Sequence, residues 1–354
     1  MATTSSSSGV RIALIGYGYW GPNYARVLSE IDGSSVVAIC DAQPERLSRA
    51  VTRHPNIRPV STVSDIFKSP DIDAVVISTP ASTHHALALQ ALESGRHVLV
   101  EKPLALEIDH CQELAELAKE NDRTLMVAHT FLYNPGVRKM RECMQSPAFG
   151  HVYYLHSTRT NLGPIRQDVN AVWDLAPHDI SIFNYLLGES PVWASAIGSR
   201  ALSNSREDVG FITLGYGSEI IGNIHVSWAD PNKVREVVAV GSRQRLVFND
   251  LDDLERVRIF EKGVAVGEQD PSTFGEFKLL VRDGDIISPK IEFSEPLKNQ
   301  AIDFIAAVAH GHQPVSDTTT GIDVVRTLKA IETSMREHGR AVEVAPWKTV
   351  PQSS

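Results

Sequence analysis

The chain has 354 residues, with 34 Lys and Arg against 43 Asp and Glu, a net charge of −9 and 42% hydrophobic residues. Charged residues at 22% and a mean hydropathy of −0.12 exclude a largely disordered or fibrous chain, and no apolar run approaches the roughly 20 residues of a membrane span. The acidic balance, with a pI near 5.8, argues against nucleic-acid partners, which call for a basic face, while small anionic ligands stay open because backbone amides act locally.

Residues 1–9 are Ser/Thr-rich without the apolar core of a signal peptide and read as a flexible tail. Cys40, Cys111 and Cys143 are an odd set without metal or CxxC spacing, so no bound metal is expected and a reducing cytoplasm fits. From 10 to 130, short β-branched runs at 10–15, 36–40, 74–79, 98–100 and 125–128 alternate with helical stretches. That rhythm predicts a parallel sheet. Beyond it, a helix at 135–145, a strand at 152–159 and a helix at 173–187 are followed by strands near 194–199, 209–216, 220–228, 234–240, 245–248 and 256–260. Strands in close succession predict a mostly antiparallel sheet, and amphipathic helices at 297–310 and 319–337 follow it. The strands ITLGY and GNIHVSW keep apolar residues on both alternations, which predicts a covered outer face instead of a solvated one. The fold class expected is α/β: a doubly wound, Rossmann-type parallel sheet over 10–130, then an α+β domain with a large, mostly antiparallel, open-faced sheet over 131–345, and a tail at 346–354.

Gly16-Tyr17-Gly18-Tyr19-Trp20-Gly21 lies directly after the strand VRIALI and directly before a helix. In that context Gly16 permits the tight turn, Gly18 lets backbone approach a pyrophosphate, and Gly21 lets helix and strand pack closely, with the helix N-terminus facing the phosphates. Asp41 ends the second strand, 20 positions past Gly21. A carboxylate there accepts from ribose hydroxyls and repels a 2′-phosphate, which predicts NAD, with NADP left open by the nearby Arg46. The plainer reading is that Asp41 caps the turn before Pro44. Two more segments lie at strand ends: Ser78-Thr79-Pro80, leading to His84, and Glu101-Lys102-Pro103. A lysine held between a strand end and a proline can steady a substrate oxygen that gains negative charge, unless it is an ordinary surface lysine.

GYGYWG, Cys40-Asp41, the TPxxxH of Thr79 to His84, ESGRHVLVEKPL, WDLAPHD and FIAAVAHGHQPVSD occur together and in order. This set resembles the Gfo/Idh/MocA oxidoreductases over almost the whole chain. The resemblance implies NAD(P) held by the first domain, assembly through the sheet of the second as a homodimer or homotetramer, and Lys102, Asp174 and His178 beside the nicotinamide. On the residues alone, Asp174 and His178 stand four apart and share one helix face, either as an acid/base pair or as a surface pair. Asp179 faces away from them. His84 is expected to buttress the cofactor pocket. Asn170-Ala171-Val172-Trp173 departs from the glycine-rich stretch of many members.

YWGPN, RTNLGPIRQDVN and WDLAPHDISI resemble members acting on nucleotide-activated sugars, such as UDP-N-acetylglucosamine-type 3-dehydrogenases. The expected activity is hydride transfer between a secondary alcohol of a sugar and nicotinamide. A polyol, myo-inositol or free aldose dehydrogenase, an NAD-dependent glycosidase and a non-catalytic NAD sensor are the alternatives. In the loop 158–168, Arg159, Asn161 and Arg166 are donors suited to phosphate oxygens, or else the arginines pair with acids such as Asp168. With Asn170, Asn161 and Arg166 complete the expected substrate contacts.

Overall fold

The computed structural model describes residues 9–163, 165–166, 168–202, 205–266, 279–282 and 284–347. Most of the expected tails, and Pro164 and Gln167 of the loop at 158–168, lie outside the described residues. The chain divides into two compact units, Met1–Asn134 with Ser294–Val325, and Pro135–Phe293 with Arg326–Ser354.

In the first unit β1 (Val10–Ile15), α1 (Gly21–Ser29), β2 (Ser34–Cys40), α2 (Pro44–Arg53), β3 (Arg58–Val60), α3 (Val63–Phe67), β4 (Ala74–Ile77), α4 (His84–Glu93), β5 (His97–Glu101), α5 (Ile108–Glu120) and β6 (Leu125–Ala128) alternate. The strands form one sheet in the order β3-β2-β1-β4-β5-β6, and every pairing in it is parallel. β4 and β6 are buried at every residue, as strands covered by helices on both faces must be. Pro22 lies in the first turn of α1, where its missing N–H costs no helical bond.

The second unit opens with α6 (Pro135–Gln145), β7 (Val152–Thr160) and α7 (Ala171–Leu187). β8 (Pro191–Ser199), β9 (Val209–Tyr216), β10 (Ile221–Ser227), β11 (Val234–Gly241), β12 (Arg245–Asn249), β13 (Val257–Phe260), β14 (Gly263–Val266), β15 (Leu279–Arg282) and β16 (Ile286–Ile287) follow. α8 (Pro296–His310) belongs to the first unit, α9 (Thr318–Arg336) begins in the first and ends in the second, and β17 (Val342–Glu343) closes the series. Nine strands make one sheet in the order β16-β13-β12-β11-β7-β10-β9-β8-β17. Only β7 and β10 pair in parallel within it; β14 and β15 pair with each other.

Two expectations are corrected here. α8 was placed in the second domain, but Gln300 on its buried face donates to the Tyr24 hydroxyl and accepts from Thr130, and Tyr133 donates to Asp303. These tertiary partners, invisible to helical periodicity, assign the helix to the first unit. The outward side chains of β10 are Ile221, Asn223 and His225, while Gly222, Ile224 and Val226 are buried, so this strand alternates instead of being apolar on both faces.

Candidate active site

The parallel register fixes where the first unit's chemistry lies. Cys40, Ile15, Ile77, Val100 and Val127 form one row across five strands. Asp41, Gly16, Ser78 and Glu101 therefore come one step beyond it, together, at the carboxyl edge where ligands of such sheets bind. Gly16 has φ +98°, and a Cβ there would lie 2.7 Å from the Ser78 carbonyl oxygen; a Cβ on Gly21 would lie 2.5 Å from that of Gly16. Both positions admit only glycine. Gly18 is different, because its Cβ would make ordinary contact with Arg46 alone, which leaves its backbone approachable from outside. The first turn of α1 carries no acidic side chain, so its N-terminal partial positive charge is uncancelled. These residues fit the diphosphate of a dinucleotide, with Tyr19 and Trp20 exposed at the turn.

Asp41 is buried. Its Oδ2 accepts from the Tyr17 N–H at 2.7 Å and its Oδ1 from the Gln43 N–H at 2.8 Å, with Arg46 Nη1 3.6 Å from Oδ2. The carboxylate thus stiffens the glycine turn and also caps the next one, as the plainer reading has it. Ser78 donates to the Gly16 carbonyl at 2.8 Å. His84 has Nδ1 2.7 Å from the Pro103 carbonyl and Nε2 3.0 Å from that of Thr79. It ties the loops after β4 and β5 together, and the Pro80 carbonyl accepts from Thr83 in the same turn. Glu101 accepts from Tyr24 at 2.8 Å. Burial first, then the Glu101 charge, holds the Tyr24 phenol well above its ordinary value. Lys102, the next residue, is buried, and so is His129 beyond the end of β6. Burial, reinforced by the positive charge of Lys102, pushes the His129 imidazole down to about 3.

The second unit carries the other candidates. α7 starts at Asn170, whose side-chain oxygen accepts from the Trp173 N–H at 2.9 Å while its amide donates to Glu207 at 3.0 Å. Asn170, expected at the substrate, is an N-cap residue with both ends of its side chain occupied. Asp174 and His178 lie one turn apart on the half-buried face of α7. Pro177 between them removes one intrahelical bond, the one that the Trp173 carbonyl would accept. Asp174 Oδ1 accepts from Arg166 Nη1 at 3.1 Å and Oδ2 from Trp228 Nε1 at 3.3 Å.

Both loop arginines have acid partners. Arg166 grips Asp168 through Nε at 2.9 Å and Nη2 at 2.6 Å while reaching Asp174, so it bridges two carboxylates. Burial works against its cation, but the Asp168 hydrogen bonds and the Asp174 charge outweigh it and raise the pKa. Arg159 is buried and paired with Asp179, so it is a core residue. Asn161 is tied through its N–H to the Ser227 carbonyl at 3.1 Å, and its side-chain amide lies where a Cβ on Gly163 would be. Sequence reasoning missed His129, which no motif marks, and Trp228, which stands 54 residues from its partner Asp174. No helix among the described residues is long and apolar enough to cross a membrane.

Residues 10–129 match the family model described as "Oxidoreductase family, NAD-binding Rossmann fold", and residues 137–247 match the GFO/IDH/MocA C-terminal domain. The chain is 27% identical over 315 residues to a UDP-N-acetylglucosamine 3-dehydrogenase of Acidithiobacillus ferrooxidans, covering 86% of this chain and 90% of that one. It is 30% identical to an inositol 2-dehydrogenase of Saccharopolyspora erythraea over 56% of this chain and 60% of the other. The solved structure of the Acidithiobacillus protein superposes with a TM-score of 0.78, at 22% identity over 93% of this chain and 98% of that one. The chain spans between 53% and 62% of the length of three of the curated relatives it matches. The glycine turn, the strand-end lysine and the two consecutive domain matches make one conclusion: the chain belongs to the Gfo/Idh/MocA oxidoreductase family, and its first unit is an NAD-binding Rossmann fold.

Proposed function

We propose that the protein is an NAD-dependent dehydrogenase that oxidises a secondary alcohol of a sugar to a ketone, and the reverse. The observation that carries this is the row of residues at the carboxyl edge of the parallel sheet, where a buried Lys102 follows β5, two strands along from the glycine turn after β1 that fits a dinucleotide. Bound NAD supplies the hydride acceptor. The carbinol carbon gives up a hydride and the hydroxyl its proton, which His178 takes as general base. Asp174, held by Arg166 and Trp228, orients and charge-stabilises the imidazole. Lys102 donates to the oxygen as it becomes a carbonyl.

For the substrate we propose a nucleotide-activated sugar oxidised at C3, of the UDP-N-acetylhexosamine kind. The relative matched over 86% of the chain supports this, whereas the loop argument for phosphate contacts loses Arg159. A myo-inositol dehydrogenase is the second reading, supported by the 30% identical relative. A second copy of the chain is proposed to cover the outer face of the large sheet. Ile197 and Phe211 are paired neighbours there, 62% and 54% exposed, and Phe211 stacks on His225 with ring centroids 4.4 Å apart.

The test is nicotinamide absorbance at 340 nm with nucleotide sugars, inositols and free aldoses in parallel. Turnover confined to nucleotide sugars supports the first substrate reading, and turnover confined to inositols replaces it. His178→Ala and Lys102→Ala are each expected to lower kcat about 100-fold or more. Near-normal turnover in either variant removes that residue from the mechanism.

A further inference from the structure

β5 and β6 run in parallel register with Glu101 opposite Ala128. The next residue on each strand, Lys102 and His129, therefore leaves the sheet at the same edge. Both are buried, at 9% and 1% exposure. The backbone of His129 is fixed from both sides, its N–H donating to the Val127 carbonyl and its own carbonyl accepting from the Leu132 N–H. Neither ring nitrogen has a hydrogen-bond partner in the protein. Buried polar side chains nearly always find one, and a ring that has none destabilises the fold relative to an apolar ring of similar size. The same burial keeps the ring neutral, with one acceptor nitrogen and one N–H donor. A neutral acceptor orients an ammonium without adding a counter-charge of its own.

We propose that His129 is a positioning residue for Lys102, its acceptor nitrogen taking a hydrogen bond from the ammonium, directly or through one water, when substrate and NAD are bound. The inference rests on the reading of Lys102 as the lysine that holds the reacting oxygen. It assigns a task to a side chain whose lack of a protein partner has no structural use.

The experiment compares His129→Phe, His129→Gln, Lys102→Ala and the double variant His129→Phe/Lys102→Ala. The melting temperature of the NAD-free protein is read together with the NAD dissociation constant, kcat and KM. The phenyl ring fills the space without polar atoms, so His129→Phe is expected to melt at or above the wild-type temperature and to bind NAD within about twofold. Its kcat should fall about tenfold or more, with KM changed far less. His129→Gln, which restores an acceptor and a donor, should recover a substantial part of kcat. The double variant should turn over no more slowly than Lys102→Ala alone, because a residue acting through Lys102 has nothing left to position. A His129→Phe enzyme with more than half of wild-type kcat overturns the proposal. So does a parallel loss of melting temperature and activity in both single His129 variants, which would make the ring a packing element. If Lys102→Ala itself turns over normally, it is the preceding reading of the lysine that fails.

Discussion

Replacing Asp179 by Asn should unfold the second unit at a much lower temperature. Arg159 and Asp179 face each other through two bonds, Nε to Oδ2 at 2.7 Å and Nη2 to Oδ1 at 3.0 Å, and their side chains are 5% and 1% exposed. Asparagine keeps the volume and one acceptor but takes the Asp179 charge away from a buried guanidinium. Breaking such a pair on one side costs about 3–5 kcal/mol, whereas exchanging both members for apolar residues is close to neutral. At about 2–4 °C per kcal/mol for a unit of this size, the expected drop in melting temperature is about 6–20 °C. Differential scanning calorimetry of Asp179→Asn, Arg159→Met and the pair Arg159→Met/Asp179→Leu checks it, the pair recovering most of the loss. A melting point for Asp179→Asn within about 2 °C of wild type, on the same scale, would refute the reasoning. A KM for sugar that rises steeply in the stable pair would instead return Arg159 to the substrate.

Asp41→Ser should relax the preference for NAD over NADP, since the carboxylate repels a 2′-phosphate and Arg46 stands 3.6 Å from it; a wild type that already binds NADP tenfold more tightly in a fluorescence titration contradicts this. Arg166→Ala should lower kcat more than it raises KM, because it frees Asp174 and Asp168 from their bridge; steady-state kinetics showing a KM effect alone would place Arg166 on substrate phosphate. Acid should destabilise the fold through His129. The folded ring, pushed down to about 3, refuses a proton that the unfolded chain accepts below pH 6.5, so the fold keeps its full stability above that value and loses part of it as pH falls. Relative to pH 7.5 the loss is about 1 kcal/mol at pH 5.5 and about 3 kcal/mol at pH 4.5. In urea melts, wild type should lose those amounts more than His129→Phe does between pH 7.5 and each lower value, and identical pH slopes would show the ring to be solvated.

Local patterns carried most of the architecture. The alternation of β-branched runs and helices gave the parallel sheet, and α6 and β9 begin and end where the periodicity put them. The motif residues of the first unit were readable for the same reason, since each follows a strand directly and parallel register aligns the strand ends. What was hidden depends on distant partners. β3 is a three-residue strand, Arg-Pro-Val, with neither length nor alternation to mark it. The parallel pairing of β7 with β10 joins segments separated by two other strands. Helical geometry correctly turned Asp179 away from Asp174, but only the fold shows that this other face is buried against Arg159. Arg166 offered two readings in the sequence, phosphate or carboxylate, and only the fold shows Asp168 and Asp174 closing around it as the second has it.

The return of α8 to the first unit ties the two halves of the chain together in time as well as in space. Synthesis delivers all six strands of the parallel sheet by Ala128, yet Tyr24, Thr130 and Tyr133 must wait for Gln300 and Asp303, and the Val127 carbonyl for the Ser316 hydroxyl. Until those residues leave the ribosome, the nucleotide-binding half is an unfinished domain with an apolar flank exposed and Tyr24, which donates to Glu101 beside Lys102, still lacking its Gln300 partner. Eight of the nine strands of the large sheet, all but β17, are synthesised inside that interval. Its folding brings the ends of the inserted segment towards each other and shortens the loop that α8 has to close. A chain cut after Asn134 would hold every residue of the glycine turn and still lack the helix that completes its domain.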